Sequence, residues 1–509
     1  MWFAGAAVGP GSSGRDTAAG TPTGYTGQWH GWASGVVGQW VRRLVCDRGL
    51  QSNEERGIPM GNLVRVWVGL VVIAGSAASI GRAEQLEDLA EMAKGWRGEI
   101  IAAVPQTFVG WDIEIGDADN DGRSEILTTG GPDSRLYLFK RVDHQWQTRL
   151  LQENLGQVFP AMGLVVKVVD LNGDGANEVV VGTGQEGGNP PAYLHILQTD
   201  GHRITRQLAY RAPQNESSYT HNIAFWDLDG DGILEITSAY CGGGENIRYD
   251  LNRDLTEIRS RRIYHATGSG EDSWLVDIDN DGQVEYITSN SFRPAKAKVE
   301  IFEIDDAGEL ILPPRVVIDG YDGKKCFYCS LETGDVDNDG QLELIVGWNK
   351  ERYDCMGTLL GYKIDQRGAH PVYTFAYEDN SMDNGYFEKT ISIADADNDG
   401  LNELVTGTDG ELEPIFGGRG MAHVFMFDIE PFAGGPPRIR RTLLANFDRG
   451  KAESTWTAVG DIDHDGLNEI AICTANGFRR GVPYDESGKT TPDRSDWRSH
   501  VILLEKVPD

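Results

Sequence analysis

The chain has 509 residues, with 78 acidic against 46 basic side chains, a formal net charge of −32 and an isoelectric point near 4.6. That balance excludes the basic footprint that nucleic-acid binding requires. Much of the acid is concentrated in one recurring pattern, which governs the rest of the reading.

In chain order, residues 1–59 are rich in Gly, Ser, Thr and Ala without sustained periodicity, and are expected to be a doubtful or disordered leader. Met60, the basic Arg65, an apolar run from Val66 to Ile80 and small residues at Gly81 and Ala83 together predict a secretory signal peptide over 60–83. On that reading Met1 is an overextended start and the mature chain begins near Glu84. A membrane anchor is the competing reading, but the run is short for a span of ~20 residues. Residues 84–95 are expected to be a short helical spacer, and 96–509 one repeating domain with no membrane span.

Within that domain a nine-residue pattern, Asp-x-Asp/Asn-x-Asp-Gly-x-x-Glu, begins at Asp117, Asp170, Asp227, Asp277, Asp335, Asp395 and Asp461, with successive starts 53, 57, 50, 58, 60 and 66 residues apart. Calcium is a hard cation that takes six to eight oxygens from carboxylates, carbonyls and water. In the first copy Asp117, Asp119 and Asp121 can converge on one ion, Gly122 permits the sharp turn, Arg123 offers its carbonyl and Glu125 closes the shell. The second copy supplies Asp170, Asn172, Asp174, Ala176 and Glu178, with one neutral ligand and hence weaker expected binding. The third uses Asp227, Asp229, Asp231, Ile233 and Glu235; the fourth Asp277, Asp279, Asp281, Gln283 and Glu285. Asp335, Asp337, Asp339, Gln341 and Glu343 form the fifth, Asp395, Asp397, Asp399, Leu401 and Glu403 the sixth, and Asp461, Asp463, Asp465, Leu467 and Glu469 the last. Asp and Gly also dominate ordinary turns, but seven copies with the same five positions filled go beyond turn chemistry. Magnesium, which demands a tight octahedron, suits the pattern less, and an EF-hand needs helical flanks and an acid at position 12. The prediction is up to seven Ca²⁺. Six loops with four carboxylates and one with three make 27 of the acids, and seven Ca²⁺ would bring the net charge from −32 to −18.

Short runs with strand character flank every copy. Upstream lies Trp111–Ile115 or its counterpart; downstream lie Ile126-Leu127, Val179–Val181, Leu344–Val346, Leu404-Val405 and Ile470–Ile472. Third strands are expected at Leu136–Lys140, Tyr193–Leu197, Lys298–Ile304, Thr358–Ile364 and His423–Asp428, and a fourth closes each unit except the last. The least strand-like of them is Asn246–Asn252. Four-stranded units at this period predict an all-β, seven-bladed β-propeller. The last unit lacks a fourth strand, and Glu99–Val104, ahead of the first loop, is expected to complete it and close the ring.

The loops, written Gly-Asp-Ala-Asp-Asn-Asp-Gly-Arg-Ser-Glu-Ile-Leu and Gly-Asp-Val-Asp-Asn-Asp-Gly-Gln-Leu-Glu-Leu-Ile-Val-Gly, resemble the FG-GAP repeat, called VCBS repeat in bacterial relatives and found in the seven-bladed head of integrin α subunits. The resemblance covers roughly 96–509. It implies the propeller and calcium; it says little about function, because the fold hosts adhesion modules, carbohydrate-processing enzymes and others. The family's closing ligand is often Asp, whereas every copy here has Glu, which rearranges the shell slightly.

The strand order puts the acidic loops on one face and the connections after second and fourth strands on the other. That second face is expected to carry Tyr219–Asn222, Asp272–Trp274, Phe292-Arg293, Trp348–Tyr353, Tyr386–Lys389, Phe416–Arg419, Trp456 and Phe478–Arg480. Aromatics with Arg suit sugars or acidic polysaccharides, and variable loops on a rigid scaffold are where binding residues tend to lie; against this stands simple packing of the same rings. The expectation is a secreted or cell-surface binding module, periplasmic or extracellular, with a carbohydrate or protein ligand. The alternative is a polysaccharide-acting enzyme, lyase- or hydrolase-like, with His221, Tyr219 and Arg293 as its candidates; no recurring catalytic motif supports it. Without the leader's Cys46, five cysteines remain: Cys241, Cys326, Cys329, Cys355 and Cys473. They are read as buried thiols or one disulfide in the fifth blade.

Overall fold

The computed structural model describes residues 85–105, 112–130, 135–152, 155, 162–184, 192–212, 219–241, 244–266, 269–291, 297–320, 326–350, 358–376, 391–408, 422–430, 437–447, 449, 452, 454–475 and 498–507. Seven antiparallel sheets form, the first five of them simple four-stranded meanders in chain order; the sixth gains a fifth strand and the seventh takes its outer strand from ahead of blade 1. The first blade runs Asp112–Gly116, Glu125–Gly130, Arg135–Val142 and Gln145–Gln152. The first strands of the other six are Met162–Val169, Tyr219–Trp226, Ser269–Val276, Cys326–Gly334, Ile391–Ala394 and Ser454–Gly460. Each first strand packs against the first strands of the blades before and after it, and that of blade 7 packs against that of blade 1, so the ring is closed.

Closure uses a strand that precedes blade 1 in the chain. Trp96–Pro105 pairs antiparallel with Arg498–Lys506 and becomes the fourth strand of blade 7, with Glu99 opposite Leu503 and Val104 opposite Ser499. The segment ahead of it is one helical turn, Leu86–Leu89, and then a two-residue strand, Glu91–Met92, added to the outer edge of blade 6 opposite Asn446 and Ala445. The stretch read as a spacer thus ends in β-pairing.

Burial follows position in the blade. The second strands Glu125–Gly130 and Glu178–Gly184 are buried along their whole length, because neighbouring blades cover both faces. The outer strand Ile204–Arg211 is largely exposed or half-buried. Each junction has its own apolar core: Ile113, Phe139, Trp456 and Val501 between blades 7 and 1, for example, and Leu127, Leu138, Val166 and Val181 between blades 1 and 2. The blades approach closely enough that Gly407 admits no side chain, since a Cβ there would lie 2.2 Å from the carbonyl oxygen of Thr455.

Some expectations need correction. Asp272, Ser273 and Trp274 lie within the first strand of blade 4, and Trp274 Nε1 donates to Leu331 O at 3.2 Å. Trp348 is fully buried, donating to the Tyr362 hydroxyl at 3.2 Å, and Trp456 is core. These rings pack the scaffold. The weak-looking third strand of blade 3 forms at Glu245–Leu251. Its polar residues are partnered: Asn246 Oδ1 accepts from Tyr286 at 2.7 Å and Thr288 at 2.8 Å, and Arg248 donates to Gly308 O at 3.0 Å. Cys329 and Cys473 are buried; the side chains of Cys241, Cys326 and Cys355 lie outside the described residues.

Candidate metal centre

Each acidic loop connects the first and second strands of its blade and repeats one hydrogen-bonding scheme. In blade 1 both oxygens of Asp117 accept backbone N–H groups, from Asp121 at 3.0 Å and Gly122 at 2.9 Å. Asp121 Oδ1 accepts from Arg123 N at 3.1 Å, and Glu125 Oε2 accepts from Ala118 N at 3.0 Å. The position-7 residues Ala176, Ile233, Gln283, Gln341, Leu401 and Leu467 donate to their own position-5 Asp in the same way, at 2.8–3.0 Å. The apolar residue at position 2 anchors the turn: Ala118, Leu171, Ile278, Val336, Ala396 and Ile462 are all buried.

This scheme spends one oxygen of positions 5 and 9 on the backbone and leaves the other for something else. Glu125, Glu178, Glu285 and Glu343 are fully buried, and Glu235, Glu403 and Glu469 nearly so. Asp279 Oδ1 and Asp397 Oδ1 are buried and accept no hydrogen bond. Buried oxygens of this kind ordinarily have a partner. Asp395, Asp397, Asp399 and Glu403 each bring one oxygen within 4.8 Å of the others, and three-carboxylate groups of the same span form in the loops starting at Asp117, Asp227, Asp277 and Asp335. Burial pushes the closing glutamates up, with the charge of loop neighbours adding to it: Glu125, Glu235, Glu343 and Glu469 to about 7, Glu285 and Glu403 to about 8. Such a donor set, oxygen-only, buried and over-negative, fits a hard divalent cation.

Two features of the site escaped the sequence reading. The first is a clasp between successive loops. Position 4 adopts a left-handed conformation (φ 61° at Asn120, 60° at Asn338, 62° at Asn398, 60° at His464), which Asn tolerates better than most residues. Asn120 Oδ1 then accepts from Asn177 N at 2.6 Å, while Asn177 Nδ2 donates back to Asp117 O at 2.9 Å. The same exchange joins Asn338 to Asn402 and Asn398 to Asn468. Where the ring closes, His464 Nε2 accepts from Ser124 N at 2.9 Å. The sequence signal was Asn or His at position 4 with Asn or Ser at position 8 of the next copy, a pairing only the ring makes meaningful.

The second is the residue across the ladder from each closing Glu, on the third strand. The registers pair Glu285 with Glu303 and Glu343 with Lys363, and continued by one residue the other five bring Lys140, Gln198, Asp250, Asp428 and Glu505 to the same place. The four acids among them are held by arginine: Asp250 by Arg248 at 2.5 Å, Glu303 by Arg315, Asp428 by Arg440 at 2.6 Å and Glu505 by Arg97 at 2.6 Å.

The first strands of all seven blades also line a central cavity of about 290 Å³. Lys167 enters it, 3.2 Å from Glu114 and 3.6 Å from Asp112, with Asp272 and Glu332 on the wall. Burial pushes Glu332 up to about 8; Lys167 opposes the shift, and Asp272 and Glu114 add to it. Of the enzyme candidates, Arg293 and the side chains of Tyr219 and His221 lie outside the described residues.

Seven blades, each with an acidic Asp-Gly loop between its first and second strands, define a seven-bladed β-propeller. No family model matches the chain. Integrin alpha-8 of Mus musculus is 23% identical over 286 residues, and that of Homo sapiens 24% over 290; each match covers 55% of this chain and 23% of the relative. The match thus spans about a quarter of those proteins' length. A solved structure of BBS1N in complex with ARL6DN, soaked with lead, aligns over 82% of this chain and 98% of its own with 10% identity and a TM-score of 0.43, too distant to add to the argument. The repeats, the ring and the curated relatives make this an integrin-α-like FG-GAP propeller. Among the described residues no helix is long and apolar enough to cross a membrane.

Proposed function

We propose that the chain is an exported binding module whose ring is stabilised by calcium in the acidic loops, and whose face opposite those loops takes a protein or carbohydrate ligand. One observation carries this reading. The meander puts every acidic loop, uniform in length, on one face, and the connections between second and third strands on the other. Those connections vary widely, from 242–244 in blade 3 to 408–422 in blade 6 and 476–497 in blade 7. Uniform loops suit a repeated structural task, and uneven ones on a rigid frame suit recognition. Calcium modules working at ~10⁻⁴–10⁻³ M fill outside the cytosol, which supports export.

The test is binding to a panel of purified extracellular proteins and polysaccharides, with product analysis on every hit. The reading expects saturable binding without turnover, lost when 408–422 or 476–497 is replaced by a short Gly-Ser turn. Binding that survives both replacements overturns the choice of face, and release of product overturns the choice of class.

A further inference from the structure

The seven loops share one ligand pattern but differ in what already stands inside it. In blade 1 the ammonium of Lys140 lies 2.6 Å from Asp119 Oδ2, 2.7 Å from Asp121 Oδ2 and 2.9 Å from Glu125 Oε1. The last two are the oxygens that the loop's own hydrogen bonds leave over at positions 5 and 9. Blade 5 repeats the arrangement: Lys363 Nζ is 3.0 Å from Asp337 Oδ2, 2.5 Å from Asp339 Oδ2 and 3.2 Å from Glu343 Oε1. In blade 5 strand register pairs Lys363 with Glu343, and in blade 1 it pairs Ile126 with Phe139, the neighbours of Glu125 and Lys140, so the lysine's reach into the loop is built into the blade.

Resting on the reading of these loops as divalent-cation sites, we propose that blades 1 and 5 are neutralised from within: their lysine ammonium takes the position a metal ion would hold, and these two loops do not take up calcium while the others do. Among the described residues no other cation touches three carboxylates of one loop. Arg315 reaches two in blade 4, Asp279 at 3.1 Å and Glu285 at 3.9 Å, Arg248 reaches Glu235 at 3.5 Å in blade 3, Lys506 reaches Asp397 in blade 6, and Arg141 reaches Asp463 in blade 7. In blade 2 the equivalent residue is neutral, Gln198, which donates to Glu178 Oε1 at 2.8 Å. An ammonium and a Ca²⁺ cannot share a three-oxygen cage, because like charges a few ångströms apart repel strongly where water is scarce. Lys140 is partly buried, and withdrawing it would strip three contacts at once. Two blades with a fixed internal cation would keep their loops formed at calcium concentrations that empty the rest.

The test is calcium bound per chain, measured by equilibrium dialysis of the folded protein against about 1 mM radioactive Ca²⁺, in the range extracellular modules need. The substitutions K140Q and K363Q install the residue that blade 2 already uses. The double variant is expected to bind two more ions per chain than wild type, and each single variant one more. Should the lysine variants fail to fold, Q198K supplies the converse: an ammonium introduced into blade 2, expected to cost one bound ion. Equal, non-zero binding by wild type and all folded variants, or seven ions in wild type, overturns the lysine assignment and leaves the cation reading standing. No bound calcium in any of them overturns the cation reading itself.

Discussion

At the scale of single residues, the molecule is governed by where carboxylates are buried and what stands next to them. Glu332 in the central cavity makes this measurable without involving the loops. Its folded pKa of about 8, raised by burial, exceeds the ordinary value of 4.5. Between those values the folded chain holds a proton that the unfolded chain has released, so stability falls as pH rises through this window. The E332Q variant removes that dependence. In saturating Ca²⁺ its melting temperature should match wild type near pH 4.5 and exceed it by several degrees at pH 8; a gap that does not widen with pH would refute the assignment. The seven loops were legible in the sequence because the same residue types recur at the same short spacing in every copy. Lys140 and Lys363 were not, because each acts across a β-ladder from a residue about 15–20 positions away, and an isolated lysine in an apolar strand carries no such signal. The Asn402–Asn338 and Asn468–Asn398 clasps were hidden for the same reason, with partners one blade apart.

At the scale of elements, strand count and order were readable because second and third strands are covered on both faces and so read as apolar runs. The third strand of blade 3 was obscured by Asn246, Arg248 and Asp250, polar residues that the fold buries or half-buries only because each finds a partner. Trp348 and Trp456 misled in the opposite sense: aromatics near strand ends resemble ligand contacts but fill blade junctions. The element that matters most for integrity is Trp96–Pro105. It buries Trp96, Ile101 and Val104, worth about 1.5–3 kcal/mol each, so about 5–9 kcal/mol in sum, comparable with the ~5–15 kcal/mol net stability of a domain. A chain starting at residue 96 should keep a cooperative melt a few degrees below one starting at residue 85. A chain starting at residue 106 should lose cooperative melting, since blade 7 is then open along Arg498–Lys506. Equal melts for the two truncations would refute closure by this strand.

At the scale of the whole molecule, the ring brings seven negative loops onto one face, and neighbouring loops are tied by the Asn clasps only at some junctions. With a net charge of −32, the empty ring carries self-repulsion that divalent ions would relieve. Each site filled at ten times its Kd contributes about 1.4 kcal/mol by mass action, so a handful of sites rivals the stability of the fold. The measurement that bears most directly on this is the thermal melt of the folded chain at fixed pH in excess Ca²⁺, after chelation, and after calcium is restored. The account predicts a fall on the order of ten degrees on chelation and full recovery on restoration; an identical melt in all three conditions would contradict it.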